Sequence, residues 1–323
     1  MFFNNLIFIL ILIVYFYIQN KFFLYAANKS QITVLSDDNF SKLQAFHEKP
    51  TFRLGGITFF SSLIVVFLYL FFSKNILYSD YISFCTLFFF LGLMDDLKIN
   101  LKPKFRLLIM FVFLIILIIS NEFYIALSGL EFLNYLLKID IFALLFVCLC
   151  FLFIINGSNL IDGFNGLLGF HALIIFVVLF IINLINENND LTYILFYLSL
   201  ITLIFLKFNF PKAQMFLGDG GAYLIGTLVA VSVIKTSILN PLISPFFFCI
   251  LLFYLFFEVF FSFFRKLLFV GQSPLLPDSQ HLHMKVYKFL FRKNKKKLKS
   301  NYTVSIYINF VYLLLIIPAI VYM

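Results

Sequence analysis

The chain has 323 residues, of which 63% are apolar, 21% aromatic and only 12% charged, with a formal net charge of +9. Soluble domains carry about a quarter charged residues and just under half apolar ones, so a soluble globular protein is excluded. The apolar stretches are continuous rather than alternating, which excludes a β-barrel and leaves an all-α polytopic integral membrane protein.

Ten spans are expected, at roughly 2–19, 55–72, 81–97, 106–120, 141–158, 167–186, 190–207, 220–237, 245–264 and 302–322. The fourth is short, at about 22 Å of helix. All but three of the 24 Lys and Arg residues (Lys74, Lys138 and Lys235) fall in connections that follow odd-numbered spans. By the positive-inside rule those loops, at about 20–54, 96–106, 156–166, 208–220 and 265–301, face the cytoplasm, with both termini outside. The positive charge, densest from Arg292 to Lys299, therefore belongs beside anionic headgroups, and no nucleic-acid partner is expected. The first span lacks a basic leader and a small-residue cleavage site, so it is expected to be retained. All four cysteines lie inside spans, without disulfide or zinc spacing. No repeat or long linker divides the chain, so residues 1–323 are expected to form one membrane domain. Its longest outer connection, about 121–140, is apolar enough to lie along the membrane surface.

Five polar clusters interrupt this pattern, all on the inner side. The first loop ends in His47-Glu48-Lys49-Pro50-Thr51-Phe52-Arg53-Leu54-Gly55-Gly56. Pro50 and the glycine pair force a tight backbone, and Lys49 and Arg53 offer cations to phosphate. Taken alone, this reads as a basic turn that fixes orientation. Span 3 ends in Asp95 and Asp96, a like-charged pair followed by Lys98, Lys102, Lys104 and Arg106. Such acids bind Mg²⁺ or order phosphate-binding lysines.

Span 5 runs into Asn156, Asn159, Asp162 and Asn165, spaced by three so that helical partners share a face. Their oxygens suit a hard cation or a nucleotide base. Span 7 ends at Asn209 and leads to Phe216-Leu217-Gly218-Asp219-Gly220-Gly221. The glycines allow close backbone approach, the following helix N-terminus favours anions, and Phe216 is placed to stack on a base. Its bland alternative is packing, in a chain with 50 phenylalanines. The last loop carries His281-Leu282-His283, better suited to phosphate than to zinc for want of a third nearby ligand. Within the spans, Glu258 is expected to pair with Arg265 two turns on, and His171 to satisfy a neighbouring helix.

In this order and on one face, the segments GLMDD (92–96), NGSNLIDGFNGL (156–167), FLGDGG (216–221) and SPLLPDSQHLH (273–283) resemble those of the polyprenyl-phosphate N-acetylhexosamine-1-phosphate transferases. The resemblance runs from residue 47 to the second histidine of His-x-His, most of the chain. It implies a bacterial inner-membrane enzyme, its site facing the cytoplasm. Such an enzyme transfers N-acetylhexosamine-1-phosphate from a UDP-sugar to polyprenyl (undecaprenyl) phosphate and releases UMP. It implies Mg²⁺, with Mn²⁺ as a substitute, held chiefly by Asp219 with Asn159. Asp95 and Asp96 correspond to the essential acid pair, and Asp162 belongs to the same catalytic group. Phe216 resembles the uracil-stacking aromatic, with Asn209 and Asn165 in the same pocket, while Lys104, His281 and His283 resemble diphosphate or sugar contacts.

Departures from that pattern fall at Asn165, where a second aspartate is common, at Met284, where a third histidine is common, and at Ser279, where a basic residue is frequent. The first loop is closer to the surface-polysaccharide branch than to the muramyl-pentapeptide branch. A homodimer is a further expectation. The rival class is a transporter, which places its polar groups near the bilayer midplane in related half-repeats. Here they gather at one surface.

Overall fold

The computed structural model describes residues 2–30, 35–37, 50–99, 101–125, 127–271, 273 and 280–321. It consists of helices α1 (Phe2–Ser30), α2 (Gly55–Lys74), α3 (Ser79–Asp96), α4 (Pro103–Ser120), α5 (Glu131–Leu136), α6 (Asp140–Ile161) and α7 (Leu167–Ile185). These are followed by α8 (Asn189–Asn209), α9 (Gly218–Leu239), α10 (Pro245–Leu251), α11 (Phe253–Phe264), a π-helical turn (Arg265–Val270), α12 (Leu282–Asn294) and α13 (Lys297–Val321). Two-residue strands β1 (Ser36–Asp37) and β2 (Thr51–Phe52) pair antiparallel. Helix dominates because a chain immersed in lipid must satisfy each peptide group within its own segment.

Among the described residues eight helices, α1, α2, α4, α6, α7, α8, α9 and α13, are long and apolar enough to cross a membrane. The pair α10 and α11 with its π-helical turn, bent by 69°, makes nine if it forms one broken span. The sequence led us to expect ten. The remaining run is α3, which is helical but carries Asp80, Asp95 and Asp96 within 18 residues. The fourth run begins earlier than expected, at Pro103, a residue suited to a first helical turn because its missing N–H has no intrahelical partner there.

Helix α9 is the hub, packed against α2, α3, α6 and α7. Glycines set two of these crossings. A Cβ on Gly56 of α2 would lie 2.5 Å from the Gly221 nitrogen, and one on Gly92 of α3 would lie 2.5 Å from the Asp219 carbonyl oxygen. Only main chain fits between α9 and these two neighbours. At the far end of α3 and α9 the Asp80 carboxylate pairs with Lys235, and Tyr81 bonds Ser232, so buried polar groups are matched there too. The break between α10 and α11 leaves helix carbonyls without their usual partners. One of them, on Leu251, accepts the Tyr312 hydroxyl of α13.

Candidate active site

The site is built around the first turn of α9. Before that turn the chain runs extended beside β2: Phe52 bridges Met215 in parallel, and the Phe216 N–H donates to the Phe52 carbonyl at 2.9 Å. Gly55 and Gly56 N–H groups donate back to the Phe216 and Leu217 carbonyls, each at 2.9 Å. The loop before α2 and the glycine-rich loop before α9, far apart in sequence, are thereby zipped together. Gly218 then turns with φ of 73°, and a Cβ there would lie 2.5 Å from an Asp96 oxygen. Glycine at 218 is what allows Asp96 to reach α9.

Asp96 uses that access to cap α9 from a neighbouring helix. Its Oδ1 accepts the Asp219 N–H at 3.0 Å and its Oδ2 accepts the Gly220 N–H at 2.9 Å. These are two of the four N–H groups that a helix start leaves open, and a negative charge there also opposes the helix dipole. Arg53 donates to Asp96 Oδ1 at 3.2 Å while its other terminal nitrogen donates to Asp37 at 2.7 Å. Asp95, its neighbour, instead pairs with Arg106. The two adjacent acids therefore do different work, a division that their shared sequence position conceals. Arg106 also lies over the Tyr223 ring, 5.8 Å from its centroid.

Asp219 points toward α6, where the Asn159 side-chain N–H donates to its Oδ1 at 3.0 Å. Asp95, Asp96 and Asp162 all lie within electrostatic reach of Asp219. Burial, then the charges of Asp219 and Asp96, holds the Asp162 carboxyl well above the ordinary carboxylate range, with Arg53 opposing. Four acidic groups thus share one region with two arginines, and a bound cation would relieve the repulsion that adds to burial in raising the Asp162 pKa.

Among the described residues no three acidic, histidine or cysteine side chains come close enough to hold an ion by themselves. Mg²⁺, however, is commonly bound through one or two carboxylates, with water and substrate phosphate completing its shell. Asp219 with the neighbouring Asn159 amide fits that role and does not fit a protein-enclosed zinc site.

The other expected residues divide. Asn209 bridges loops, accepting the Gly166 N–H at 2.6 Å and donating to the Met215 carbonyl at 3.0 Å. Asn165 does likewise: its side-chain N–H donates to the Pro211 carbonyl at 2.9 Å and its main-chain N–H donates to Asn301 at 2.8 Å. Both are buried and hold the walls of the site in register. Phe216 is half-buried beside the glycines, and Lys104 is exposed in the first turn of α4. His47, Glu48, Lys49 and Ser279 lie outside the described residues.

His281 and His283 are brought to the loop after α6. They are partners of Glu258, for which the sequence suggested Arg265: Nδ1 of His281 lies 2.8 Å from Glu258 Oε2, and Nδ1 of His283 lies 3.3 Å from Oε1. Burial lowers the His283 pKa, with Glu258 opposing and His281 adding. His171 packs between aromatic rings, 4.1 Å from the Tyr312 centroid and 5.4 Å from that of Tyr254, but neither of its ring nitrogens has a hydrogen-bond partner among the described residues, so the polar contact expected with a neighbouring helix is not made there.

Sequence reasoning missed Glu258 as a site residue, although a carboxylate inside an apolar span is itself a signal of function. It also missed Arg106, which stands in the same basic run as Lys104, and Tyr223, which carries no signal in a chain with 17 tyrosines.

The profile described as "Glycosyl transferase family 4" matches residues 80–237. The chain is 30% identical over 255 residues to a phospho-N-acetylmuramoyl-pentapeptide-transferase of Dictyoglomus thermophilum, covering 75% of this chain and 78% of that protein. It is 26% identical over 257 residues to an undecaprenyl-phosphate alpha-N-acetylglucosaminyl 1-phosphate transferase of Thermotoga maritima, covering 76% and 74%. A phospho-N-acetylmuramoyl-pentapeptide-transferase of Listeria innocua is 30% identical over 203 residues, 58% of this chain and 63% of that protein.

Proposed function

The chain belongs to glycosyl transferase family 4, and on that premise we propose that it transfers N-acetylhexosamine-1-phosphate from a UDP-sugar to polyprenyl phosphate, releasing UMP. The observation that carries this reading is the gathering of Asp219, Asn159, Asp96, Asp95, Arg53 and Arg106 around the first turn of α9. A lipid phosphate lies at the edge of the bilayer and a nucleotide sugar in water, so their reaction needs such a charged region at a boundary. The basic connections support a cytoplasmic face in a bacterial inner membrane.

The lipid phosphate oxygen attacks the β-phosphorus. One P–O bond forms, the bond to the UMP oxygen breaks, and its electron pair leaves with UMP. Repulsion between two anions is the obstacle, and cations offset it. Mg²⁺ held by Asp219 with Asn159 supplies such charge when bound. Arg53 and Arg106 add fixed positive charge from the chain itself. A phosphate monoester has a second pKa near 6, so the nucleophile is already largely dianionic and hardly needs a base. This is supported by Asp96, whose oxygens accept three N–H donors and which positions α9, and by Asp95, already paired with Arg106.

For the sugar, the surface-polysaccharide branch is our finer reading, from the first loop's pattern. Met284 is buried and apolar where a sugar contact would need a polar group. The test is UMP release by purified protein in detergent with Mg²⁺, undecaprenyl phosphate and a panel of UDP-sugars. The panel includes N-acetylglucosamine, N-acetylgalactosamine, diamino sugars and muramyl-pentapeptide. We expect release with an N-acetylhexosamine. Release from none of them, together with uptake into sealed vesicles, would establish a transporter instead.

A further inference from the structure

Glu258 sits in the sequence FYLFFEVFFSFF and is 0% exposed. A carboxylate in such a segment is costly unless its oxygens are occupied. Here Oε2 meets Nδ1 of His281 at 2.8 Å, and Oε1 accepts the Leu282 N–H at 3.0 Å with Nδ1 of His283 at 3.3 Å. Leu282 opens α12, so the carboxylate also caps that helix. The two imidazoles are parallel within 2°, with centroids 5.3 Å apart. Both are buried, yet His283 Nε2 has no hydrogen-bond partner among the described residues and faces the Gly163 turn beside Asp162.

A structural clasp accounts for one histidine but not for a second whose outer nitrogen is buried and unmatched, since buried polar atoms are normally paired. We propose that Glu258 is a positioning residue of the transfer reaction, turning both imidazoles Nδ1-inward so that His283 offers Nε2 to the sugar diphosphate. This rests on the phosphate-transfer reading above. An ionised carboxylate only accepts, so it selects the tautomer with the proton on Nδ1. Nε2 then carries a lone pair, and a proton arriving there creates an imidazolium that Glu258 stabilises and that donates to an anionic oxygen. The other titratable groups around the pair are Tyr254, 3.2 Å from His283 Nδ1, Asp162 across the Gly163 turn, and Arg265 and Lys285 over the Phe261 ring.

The test uses full-length protein in detergent with ¹⁵N-labelled histidine. The chain has four histidines, so variants His281→Gln and His283→Gln assign the ring signals. We expect wild-type His281 and His283 to carry their proton on Nδ1, and Glu258→Gln to abolish that preference in at least one ring. The same variant should lower kcat for UMP release by about 10–100-fold while KM changes less than about threefold. In a His281→Ala/His283→Ala background, Glu258→Gln should lower kcat further by less than about twofold, because it acts through the rings it no longer has. Wild-type rings protonated on Nε2 would overturn the proposal, and so would Glu258→Gln at wild-type kcat or a loss that adds fully to that of the histidines. If no UDP-sugar yields UMP, the transfer reading fails, while the ring spectra still report whether Glu258 orients the histidines.

Discussion

Replacing Gly92 by alanine tests whether the main-chain crossing of α3 and α9 sets the position of Asp219. The added Cβ would stand 2.5 Å from the Asp219 carbonyl oxygen, 2.6 Å from its carbonyl carbon and 2.7 Å from the Gly220 Cα. Non-bonded heavy atoms need about 3.5 Å, so α9 must retreat by roughly 1 Å, and no flexible side-chain end is available to move instead. Overpacking of this kind costs about 1–3 kcal/mol, against which alanine regains about 1 kcal/mol of helix propensity, so net destabilisation stays modest. A displacement of about 1 Å at a catalytic group, by contrast, lowers turnover by about 100-fold. The assay is kcat for UMP release beside the thermal unfolding midpoint, with Gly169→Ala as control. There the nearest atom is the Leu206 Cδ2 at 2.7 Å, the movable end of a side chain between α7 and α8. We expect Gly92→Ala to remain folded with kcat down by about 100-fold and Gly169→Ala to keep kcat within about threefold. A folded Gly92→Ala protein with unchanged kcat would refute the reasoning.

Asp96→Ala removes three accepted hydrogen bonds at a buried position and should lower stability by about 2–4 kcal/mol, measured by thermal or denaturant unfolding; a loss below about 0.5 kcal/mol would show that α9 does not depend on this cap. Asp219→Ala should abolish UMP release while the protein still elutes as a folded species, and Mg²⁺ should no longer raise its unfolding temperature; protection by Mg²⁺ equal to wild type would remove Asp219 from the cation site. Asp162 has its pKa raised in the folded state, so the folded chain holds that proton more tightly than the unfolded chain. Its stabilising contribution is complete below about pH 4, the unfolded value, and declines as pH rises through the folded value. Asp162→Asn should therefore flatten the fall of unfolding temperature with pH above about pH 4, and parallel curves for the two proteins would contradict this.

The apolar runs made the helices legible, because a stretch of that length and composition has few other ways to exist in lipid. The polar clusters at their ends were legible for the same reason: Asp95, Asp96, Asn159 and Asp219 stand out against a greasy background. What was hidden depends on pairings across sequence. Asp96 caps a helix 123 residues away, and Glu258 finds histidines 23 and 25 residues on where local spacing pointed to Arg265. The joining of β2 to the segment before α9 uses main-chain groups alone, so no side-chain pattern announces it. Nor does the bend at Leu252 carry a proline or glycine to mark it. Asn165 and Asn209, which the family resemblance places in a nucleoside pocket, also hold neighbouring loops together, a task that residue type alone does not announce.

That bend has an implication for how the molecule comes together. Helix α11, which carries Glu258, departs from α10 at an interruption whose Leu251 carbonyl is closed by a phenol from α13, 61 residues further along the chain. Chains emerge from the ribosome N-terminal end first. The turn of α11 that aims the two imidazoles thus awaits the arrival of Tyr312, and this half of the catalytic region matures only after α13 has been made.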